Sequence, residues 1–568
     1  MPSLSITNMG HQPFSARQGC RFKHCCHHLV FWAAVVLCMA MPLEANAAAA
    51  AATSVTGPVN IFALSNECIA CHNSLITPAG ADVSIGSSWQ SSMMANSARD
   101  PYWQASVRRE TLDHPSIAAS IEDECAACHM PMTRYLAHTQ GGKGKVFAHL
   151  PLQAAPAPAT LMAADGVSCS VCHQIQADKL GTRESFVAGF VLDNNKPLGQ
   201  RDIFGPYEVK KGEKRVMSSA SGMQPQLSKH VQESALCATC HTLFTHTRGP
   251  DGEVLGELPE QVPYLEWKHS SFYESKSCQS CHMPQLNEKM EISSVLGQKR
   301  ENFSRHAFRG GNFLLPQMFN AYRQELGVTT LSQDLTRAAQ ETLTHLQQSS
   351  AKISISEVKR TGSDLTAEVV LENLAGHKLP TAYPSRRAWI RFTLQDARGE
   401  VVFSSGAVGA DGAIMGNIND QDPRRYEPHY TQIDSAAQVQ IYETIMANPA
   451  GQVTTGLLEA LRYVKDNRLL PQGFDKASAS QDIQVQGQAR DDHDFTAPGD
   501  RVVYRVPLAG HEGPFSVTAE LLYQPIGYRW AQNLKQQQAE EIDRFVRYFD
   551  ALAQNSWTVL AADSRIVE

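Results

Sequence analysis

Hydrophobic and polar positions follow two different patterns along the chain. Between residues 53 and 312, short apolar pieces alternate with Gly, Pro, Ser and Asn, and neither a helical nor a strand period persists. From residue 351 onward, β-branched and aromatic residues gather in short runs separated by Gly, Asp and Asn, which is typical of strands. We therefore predict a multidomain α+β fold, with short helices and loops first and a β-sandwich-like domain with added helices second. The predicted strands are 353–355, 365–371, 389–394, 400–403, 502–506 and 515–522.

Helical periodicity is confined to four segments. The segment 313–350 carries an apolar stripe that predicts an amphipathic connecting helix, and Thr330 with Gln333 predicts a capping box at its start. Shorter helices are predicted over 116–129 and 455–467. The last segment, 530–553, is charged on one side and apolar on the other, so we expect it to dock by its apolar face.

The first 47 residues have the pattern of an export signal. Arg17, Arg21 and Lys23 precede an apolar run at 29–41, and Ala45 and Ala47 supply the small-x-small pattern of a cleavage site. The run is shorter than the roughly twenty residues that a membrane span needs, so an uncleaved anchor is the weaker alternative. We predict a cleaved signal peptide over 1–47 and a periplasmic or extracellular protein.

The pattern Cys-x-x-Cys-His occurs five times and is typical of covalent attachment of c-type haem. Two thiols three residues apart can each bond one vinyl group of a porphyrin, and the following His then lies under the iron as its proximal ligand. A zinc ribbon does not require a His after each Cys pair, and a thioredoxin-type site needs only one motif. All ten cysteines after residue 38 belong to these motifs, so we predict five covalently attached haem c groups. The motifs are Cys68/Cys71/His72, Cys125/Cys128/His129, Cys169/Cys172/His173, Cys237/Cys240/His241 and Cys278/Cys281/His282.

The change of sequence pattern along the chain sets the predicted domain limits. We expect a pentahaem cytochrome c domain over 53–312, a helical connector over 313–350 and a β-rich domain with a terminal helix over 351–568. Five porphyrins replace much of an aliphatic core, which accounts for the irregular pattern of the first domain.

The second axial ligand of each iron is predicted from the remaining histidines and methionines. Our favoured distal candidates in the haem region are His149, His230 and His306; His114, His138, His246 and His269 are reserves. Met94, or its neighbour Met93, is a soft ligand that suits the first haem; the alternative is that the pair packs against porphyrin or aromatic rings.

A loop in the predicted β-rich domain supplies one more distal candidate. His377 stands between a Gly and a Pro-rich turn directly after a strand, so a rigid loop can hold it towards a haem. Arg386 and Arg387 follow and suit haem propionates. The alternative is a plain strand connection. His429 is a second candidate, and the acidic loop 411–422 is a less favoured calcium site.

The composition and net charge of the chain indicate which classes of partner the protein can bind. Hydrophobic residues make up 42% and charged residues 19% of the chain, as in a globular protein, and the formal net charge is −7. This acidic balance excludes nucleic acid as a partner and favours redox partner proteins, such as quinol-oxidising or other cytochromes. No stretch after the signal is apolar enough to span a bilayer, so membrane association would run through a partner.

Several motifs carry a resemblance to a known family. Trp-x-x-Ser-Met-Met at 89–94, Arg-Asp-Pro-Tyr-Trp at 99–103 and Cys-His-Met-Pro at 128–131 and 281–284 resemble exported multihaem c-type cytochromes. Within them, the chain is most similar to the branch of the tetrahaem electron carriers of ammonia oxidisers and the haem core of hydroxylamine oxidoreductase. The Gly-His-Lys-Leu-Pro-Thr loop at 376–381 resembles one in the β-rich part of many large multihaem cytochromes. The resemblance implies closely packed haems, mostly with two axial histidines, that pass electrons singly.

A motif that the chain lacks helps to choose between two predicted functions. The Cys-x-x-Cys-Lys motif of pentahaem nitrite reductases does not occur in the chain. We therefore favour electron transfer between redox partners in the periplasm or at the cell surface, and we predict no catalytic residue. The alternative is a haem-dependent reductase or oxidase of a small nitrogen or sulfur compound at a haem with an open axial position, most plausibly the first. A third hypothesis is that the β-rich domain docks the protein to a membrane complex or a mineral surface.

Overall fold

The computed structural model describes residues 61–152 and 157–568. It has helices and several small sheets in both halves, so the predicted α+β class is confirmed. The predicted signal peptide lies outside the described residues. No described helix has the length and apolar character needed to cross a bilayer.

The first half has the predicted short helices, and it also contains three two-stranded sheets, of which the first is parallel. Helix α3 begins at Pro101, where the Asp100 side chain accepts hydrogen bonds from the backbone N–H groups of Tyr102 and Trp103. The helices are α1 (Ser65–Ile69), α2 (Ile85–Gln90), α3 (Pro101–Asp113), α4 (Ala118–His129), α5 (Pro131–Thr139), α6 (Pro158–Ala164), α7 (Cys169–Cys172), α8 (Lys211–Ser221), α9 (Ser234–His241), α10 (Pro263–Lys268) and α11 (Cys278–His282). The strands are β1 (Arg201–Gly205) with β2 (Met223–Leu227), β3 (Leu243–Arg248) with β4 (Val254–Gln261), and β5 (Met290–Glu291) with β6 (Lys299–Arg300).

Two helices follow in the predicted connector, α12 (Leu314–Ala321) and α13 (Ser332–Ser349). The long amphipathic helix is where the apolar stripe predicts it, but its predicted cap is wrong. The N-cap of α13 is Leu331, which makes no side-chain cap. The hydroxyl of Thr330 donates instead to the backbone carbonyl of Gln90 at 2.8 Å. This hydrogen bond ties the start of α13 to the N-terminal region.

The C-terminal part contains two sheets that share one core. One sheet has the order β10-β9-β17-β18, with β12 paired to β9, and the other has the order β11-β16-β8-β7. Phe392 and Tyr504, from opposite sheets, stack with ring centroids 4.0 Å apart. The strands are β7 (Ala351–Thr361), β8 (Asp364–Asn373), β9 (Arg387–Gln395), β10 (Val401–Ser405), β11 (Gln432–Ile433), β12 (Ile441–Tyr442), β13 (Thr444–Ala447), β14 (Val453–Thr454), β15 (Arg462–Asp466), β16 (Gly499–Pro507), β17 (Phe515–Gln524) and β18 (Thr558–Val567). The helices are α14 (Ile418–Gln421), α15 (Tyr528–Leu534) and α16 (Glu540–Ala551).

Two predicted helices differ from those observed. The helix predicted over 455–467 is wrong: β15 occupies its second half and pairs antiparallel with β13. Its residues, Arg-Tyr-Val-Lys-Asp, suit a strand once a partner is available, because β preference depends on context. The helix predicted over 530–553 is interrupted between Leu534 and Glu540, so it forms α15 and α16.

The apolar face of α16 packs against the N-terminal half of the chain. Phe545 lies 5.0 Å from Tyr102 of α3, measured between ring centroids, and Arg108 pairs with Glu541 at 2.9 Å. The described residues belong to a single compact unit. The predicted domain limits at 312 and 350 remain predictions.

The stacked pair between the two sheets yields a first stability prediction. Phe392→Ala removes a fully buried ring from the sandwich core and should lower the free energy of unfolding by about 3–5 kcal/mol. Ile566→Ala is the matched control, since this side chain is 78% exposed and should change stability very little. Denaturant unfolding followed by circular dichroism measures both, and equal stabilities would contradict the assignment of this core.

Candidate haem-binding site

One continuous cavity of about 1480 Å³ is lined by all five Cys-x-x-Cys-His motifs. Both halves of the chain contribute to its wall: α3 and α9 from the first, and the loop around His377 from the second. None of the ten motif cysteines forms a disulfide. We number the motifs site 1 to site 5 in chain order.

Four of the five motif histidines have one ring nitrogen held by a backbone carbonyl. A carbonyl only accepts hydrogen bonds, so Nδ1 must carry the proton and Nε2 keeps its lone pair. Metal-binding histidines are oriented by this kind of outer contact. Desolvation lowers the pKa of His129 to about 4, which keeps its imidazole in the neutral, ligating form. The pairs are His72 with Ile292 at 2.5 Å, His129 with Ser97 at 3.0 Å, His173 with Phe204 at 2.6 Å, and His282 with Arg309.

Two of these histidines face a second imidazole across the cavity. The ring centroids of His173 and His306 are 6.3 Å apart with planes 19° from parallel, and those of His282 and His377 are 6.2 Å apart at 9°. A metal bonded at about 2 Å to two imidazole nitrogens separates the ring centroids by roughly 6 Å. His306 and His377 also have Nδ1 near a backbone carbonyl, so their Nε2 atoms are free. Both pairs fit a metal held between two Nε2 atoms.

The remaining favoured distal candidates lie in different settings. His230 is hydrogen-bonded at both ring nitrogens, to the Ser228 hydroxyl at 2.6 Å and to the Ile175 carbonyl at 2.7 Å. His149 lies in a short 3₁₀ turn and, like His230, is not part of the cavity wall. Met94 does line the cavity, as does Met93. The assignments of His149, His230 and Met94 as ligands stay predictions.

The reserve candidates are mostly engaged in local contacts. Those contacts are His138 with Asp123 at 2.7 Å, His269 with the Asp475 carbonyl at 2.9 Å, His246 near Glu257 at 3.9 Å and His114 near Glu110 at 4.0 Å. His429 belongs to a buried polar network, in which Nε2 donates to Asp492 and Nδ1 accepts from Gln440. Because every member has a partner, this network explains His429 without a metal.

The two arginines predicted to bind haem propionates differ in their position relative to the cavity. Arg386 lines the cavity. Arg387 does not, since its guanidinium pairs with Asp420 at 2.8 Å inside the β-rich part. Asp420 belongs to the loop 411–422, so one carboxylate of this loop is already paired with an arginine. This pairing weighs against the less favoured calcium site there.

His345 is a cavity residue that sequence reasoning missed. Its ring centroid lies 6.0 Å from that of His282, with the planes at 61°. The signal was present in α13, because His345 stands on the same helical face as Ala338 and Thr342, which also line the cavity. An amphipathic stripe alone does not reveal that this face meets a cofactor cavity.

The loop that carries His377 is fixed to α10 by Glu266. This carboxylate accepts hydrogen bonds from the backbone N–H of Lys378 at 3.1 Å and from the Thr381 hydroxyl at 2.6 Å. Glu266 is fully buried. The N-terminal half of the chain therefore sets the position of His377.

A buried ion-pair network supports this carboxylate. Arg468 bridges Glu266 at 2.9 Å and Asp466 at 2.8 Å, and the Lys378 ammonium pairs with Asp466 at 2.7 Å. Burial alone would raise the pKa of Asp466, but Arg468 and Lys378 outweigh it and hold this pKa at about 2. The Asp466 carboxylate is thus ionised at neutral pH.

Cysteines of different motifs lie close enough to change one another's pKa. The pKa of Cys68 is lowered by a side-chain hydrogen bond with Cys169, that of Cys128 by one with Cys240, and that of Cys278 by one with Cys237. These contacts bring site 1 next to site 3, and site 4 next to both site 2 and site 5. Cys172 also acts electrostatically on both cysteines of site 4.

The residues present fit covalently bound haem. Each site offers two free thiols and a histidine, four of the five with a proton fixed on Nδ1, and the sites share one cavity. These residues would hold the porphyrin through thioether bonds and the iron through Nε2.

Comparison with known proteins gives one solved structure to report. No protein-family model matches the chain, and no curated protein matches it either. The chain resembles the crystal structure of a penta-haem cytochrome c552 from Thermochromatium tepidum at 16% sequence identity, with a TM-score of 0.48. The match covers 90% of this chain and 100% of the other.

The buried network around the His377 loop leads to a second prediction. Glu266→Ala removes one of the two carboxylates that Arg468 pairs with, and the acceptor of the Lys378 N–H and the Thr381 hydroxyl, so it should lower the free energy of unfolding by about 3–5 kcal/mol. Glu372→Ala is the control, because its ion pair with Lys352 is exposed and contributes about 0–1 kcal/mol. Denaturant unfolding distinguishes them; a variant at Glu266 as stable as the control would show that this clamp is unimportant.

Proposed function

We propose that the protein is a multihaem c-type cytochrome that transfers electrons between redox partners. The observation that carries this proposal is the pair of facing imidazoles, His173 with His306 and His282 with His377, inside a cavity lined by five attachment motifs. When bound, haem supplies a one-electron couple of the iron. An iron held between two such imidazoles would have no open position for a substrate, which suits electron transfer.

The protein residues have distinct roles in this proposal. The ten motif thiols attach five porphyrins, and the five motif histidines serve as proximal ligands. His306 and His377 act as distal ligands of sites 3 and 5. The backbone carbonyls on Nδ1 orient each ring and raise its basicity as a ligand.

The cysteine contacts support an order for electron transfer. Site 1 neighbours site 3, and site 4 neighbours sites 2 and 5. Site 4 would therefore lie between sites 2 and 5 in an electron-transfer path. Such an arrangement would let site 4 exchange electrons with both neighbours without a long step.

Location and partners complete the proposal. The N-terminal pattern of basic residues, apolar run and small residues at 45 and 47 favours export to the periplasm or the cell surface. The net charge of −7 favours docking of basic redox proteins, through which the protein could also associate with a membrane.

Replacement of the facing histidines tests the proposal. In the haem-loaded protein, His306→Ala and His377→Ala should each convert one low-spin haem to high-spin, because each removes one axial ligand. His493→Ala is the control and should leave the optical and electron paramagnetic resonance spectra unchanged, since His493 is exposed and outside the cavity wall.

Two outcomes would contradict these roles. The first is a full set of low-spin haems in His306→Ala or His377→Ala; the second is loss of a low-spin haem in the His493 control. His306→Met and His377→Met guard against misfolding. Each should keep six ligands and raise the reduction potential of one haem, because a thioether is a softer ligand than imidazole.

A further inference from the structure

Helix α8 has two faces of different chemistry. Four of its residues line the cavity and recur at helical spacing, which makes them one inner face: Glu213, Val216, Met217 and Ala220. With 3.6 residues per turn, Lys211 and Arg215 lie on the opposite face and Lys214 lies at its edge. None of these three cations lines the cavity. The helix therefore presents a cationic face away from the haem-binding cavity.

The cations of this outer face are not paired with carboxylates. We define the basic patch as Lys210, Lys211, Lys214 and Arg215. Three of them are exposed, Lys214 is half-buried, and none forms an ion pair with another described residue. The carboxylate of Glu213 instead accepts a hydrogen bond from the backbone N–H of Lys210 at 3.0 Å. Like charges four residues apart destabilise a helix, so helix stability does not account for this arrangement.

The basic patch lies beside site 1. Helix α8 packs against α1, the helix that carries Cys68. The segment before α8 is tied to β6, because the Arg300 guanidinium donates to the Glu208 carbonyl at 2.7 Å. The loop before β6 is in turn bound to site 1, where the Ser294 N–H donates to the Cys71 carbonyl at 2.8 Å. A helix with its side chains is about 10–12 Å wide, so a protein bound to the outer face is one helix away from this site.

We propose that the basic patch is the docking surface for an acidic redox protein that exchanges one electron with the haem of site 1. When the partner is the donor, its redox centre is oxidised by one electron and the iron of site 1 is reduced from the ferric to the ferrous state. The inference rests on the proposed function, because it requires haem at site 1. The net charge of −7 favours basic partners for the chain as a whole, and the local charge on α8 reverses this preference at site 1.

The two faces of α8 favour a protein partner over a membrane. A helix that binds at a membrane surface turns its apolar face to the acyl chains and its Lys and Arg residues to the headgroups. The apolar residues of α8 line the cavity instead and are not available to a bilayer: Val216, Met217 and Ala220. Exposed cations without apolar anchors steer an oppositely charged protein into a short-lived complex, which suits electron transfer.

Reduction kinetics of the haem-loaded protein test this inference. The probe is reduced flavodoxin, an acidic flavin protein that gives one electron, and stopped-flow absorbance measures the rate constant of haem reduction. For the wild type this rate constant should fall as salt is added, because salt screens the attraction. In the triple variant Lys211→Glu/Lys214→Glu/Arg215→Glu it should be lower by about tenfold or more at low ionic strength, since attraction becomes repulsion. The neutral variant Lys211→Gln/Lys214→Gln/Arg215→Gln replaces it if the charge reversal prevents folding.

Controls separate this inference from the proposed function. Lys352→Glu/Lys359→Glu/Arg360→Glu makes the same change of net charge on β7, at exposed residues outside the cavity wall, and should react with flavodoxin nearly as fast as the wild type. The reduced triple variant should pass electrons to a basic cytochrome c at least as fast as the wild type does. Haem content by mass spectrometry and reduction by dithionite show whether the haems are present and active; their absence would defeat the proposed function itself.

Several outcomes would overturn the inference with the haems in place. They are an unchanged rate constant with flavodoxin in the triple variant, an equal loss of rate in the β7 control, and a slower reaction of the triple variant with the basic cytochrome c. A different occupant of the basic patch would also overturn it. That outcome would appear as loss of binding to phosphatidylcholine vesicles that contain phosphatidylserine, or as loss of a dimer in analytical ultracentrifugation, while the rate with flavodoxin stays the same.

Discussion

The contact on which the site depends is the hydrogen bond between a histidine Nδ1 and a backbone carbonyl. It fixes the proton on one ring nitrogen, holds the ring plane and leaves Nε2 directed at the cavity, as at His173 and His282. The carbonyls come from segments far along the chain, such as Phe204 and Arg309, so the short helices and hairpins of the N-terminal half are arranged around these bonds. A cavity of about 1480 Å³ that side chains leave open requires the irregular backbone seen there.

The β-rich part belongs to the same site because its loop supplies His377. The buried carboxylate of Glu266 holds this loop, since it binds the loop on both sides of the turn and is itself held by Arg468. Packing of α16 on α3 joins the two halves a second time. The C-terminal part thus supports the cavity and contributes part of its wall, including His377.

Local chemistry could be predicted from the sequence, and long-range geometry could not. The five motifs depend on spacing within five residues, and the strands 365–371 and 515–522 depend on local β preference. Both could therefore be predicted from the sequence. Distal ligands depend on the fold: proximity along the chain favoured His230, whose two nitrogens are bonded elsewhere, while His345 was hidden in an amphipathic stripe. The segment 462–466 was misread as helix because only its partner strand β13 makes it a strand.

The most direct test of the central claim is the intact mass of the mature protein produced in a host that attaches c-type haem. The account predicts an increase of five haem masses over the polypeptide, and stepwise loss of one haem when both cysteines of a single motif are replaced, for example Cys169→Ala with Cys172→Ala. A polypeptide mass without covalent haem, or zinc bound in its place, would contradict it.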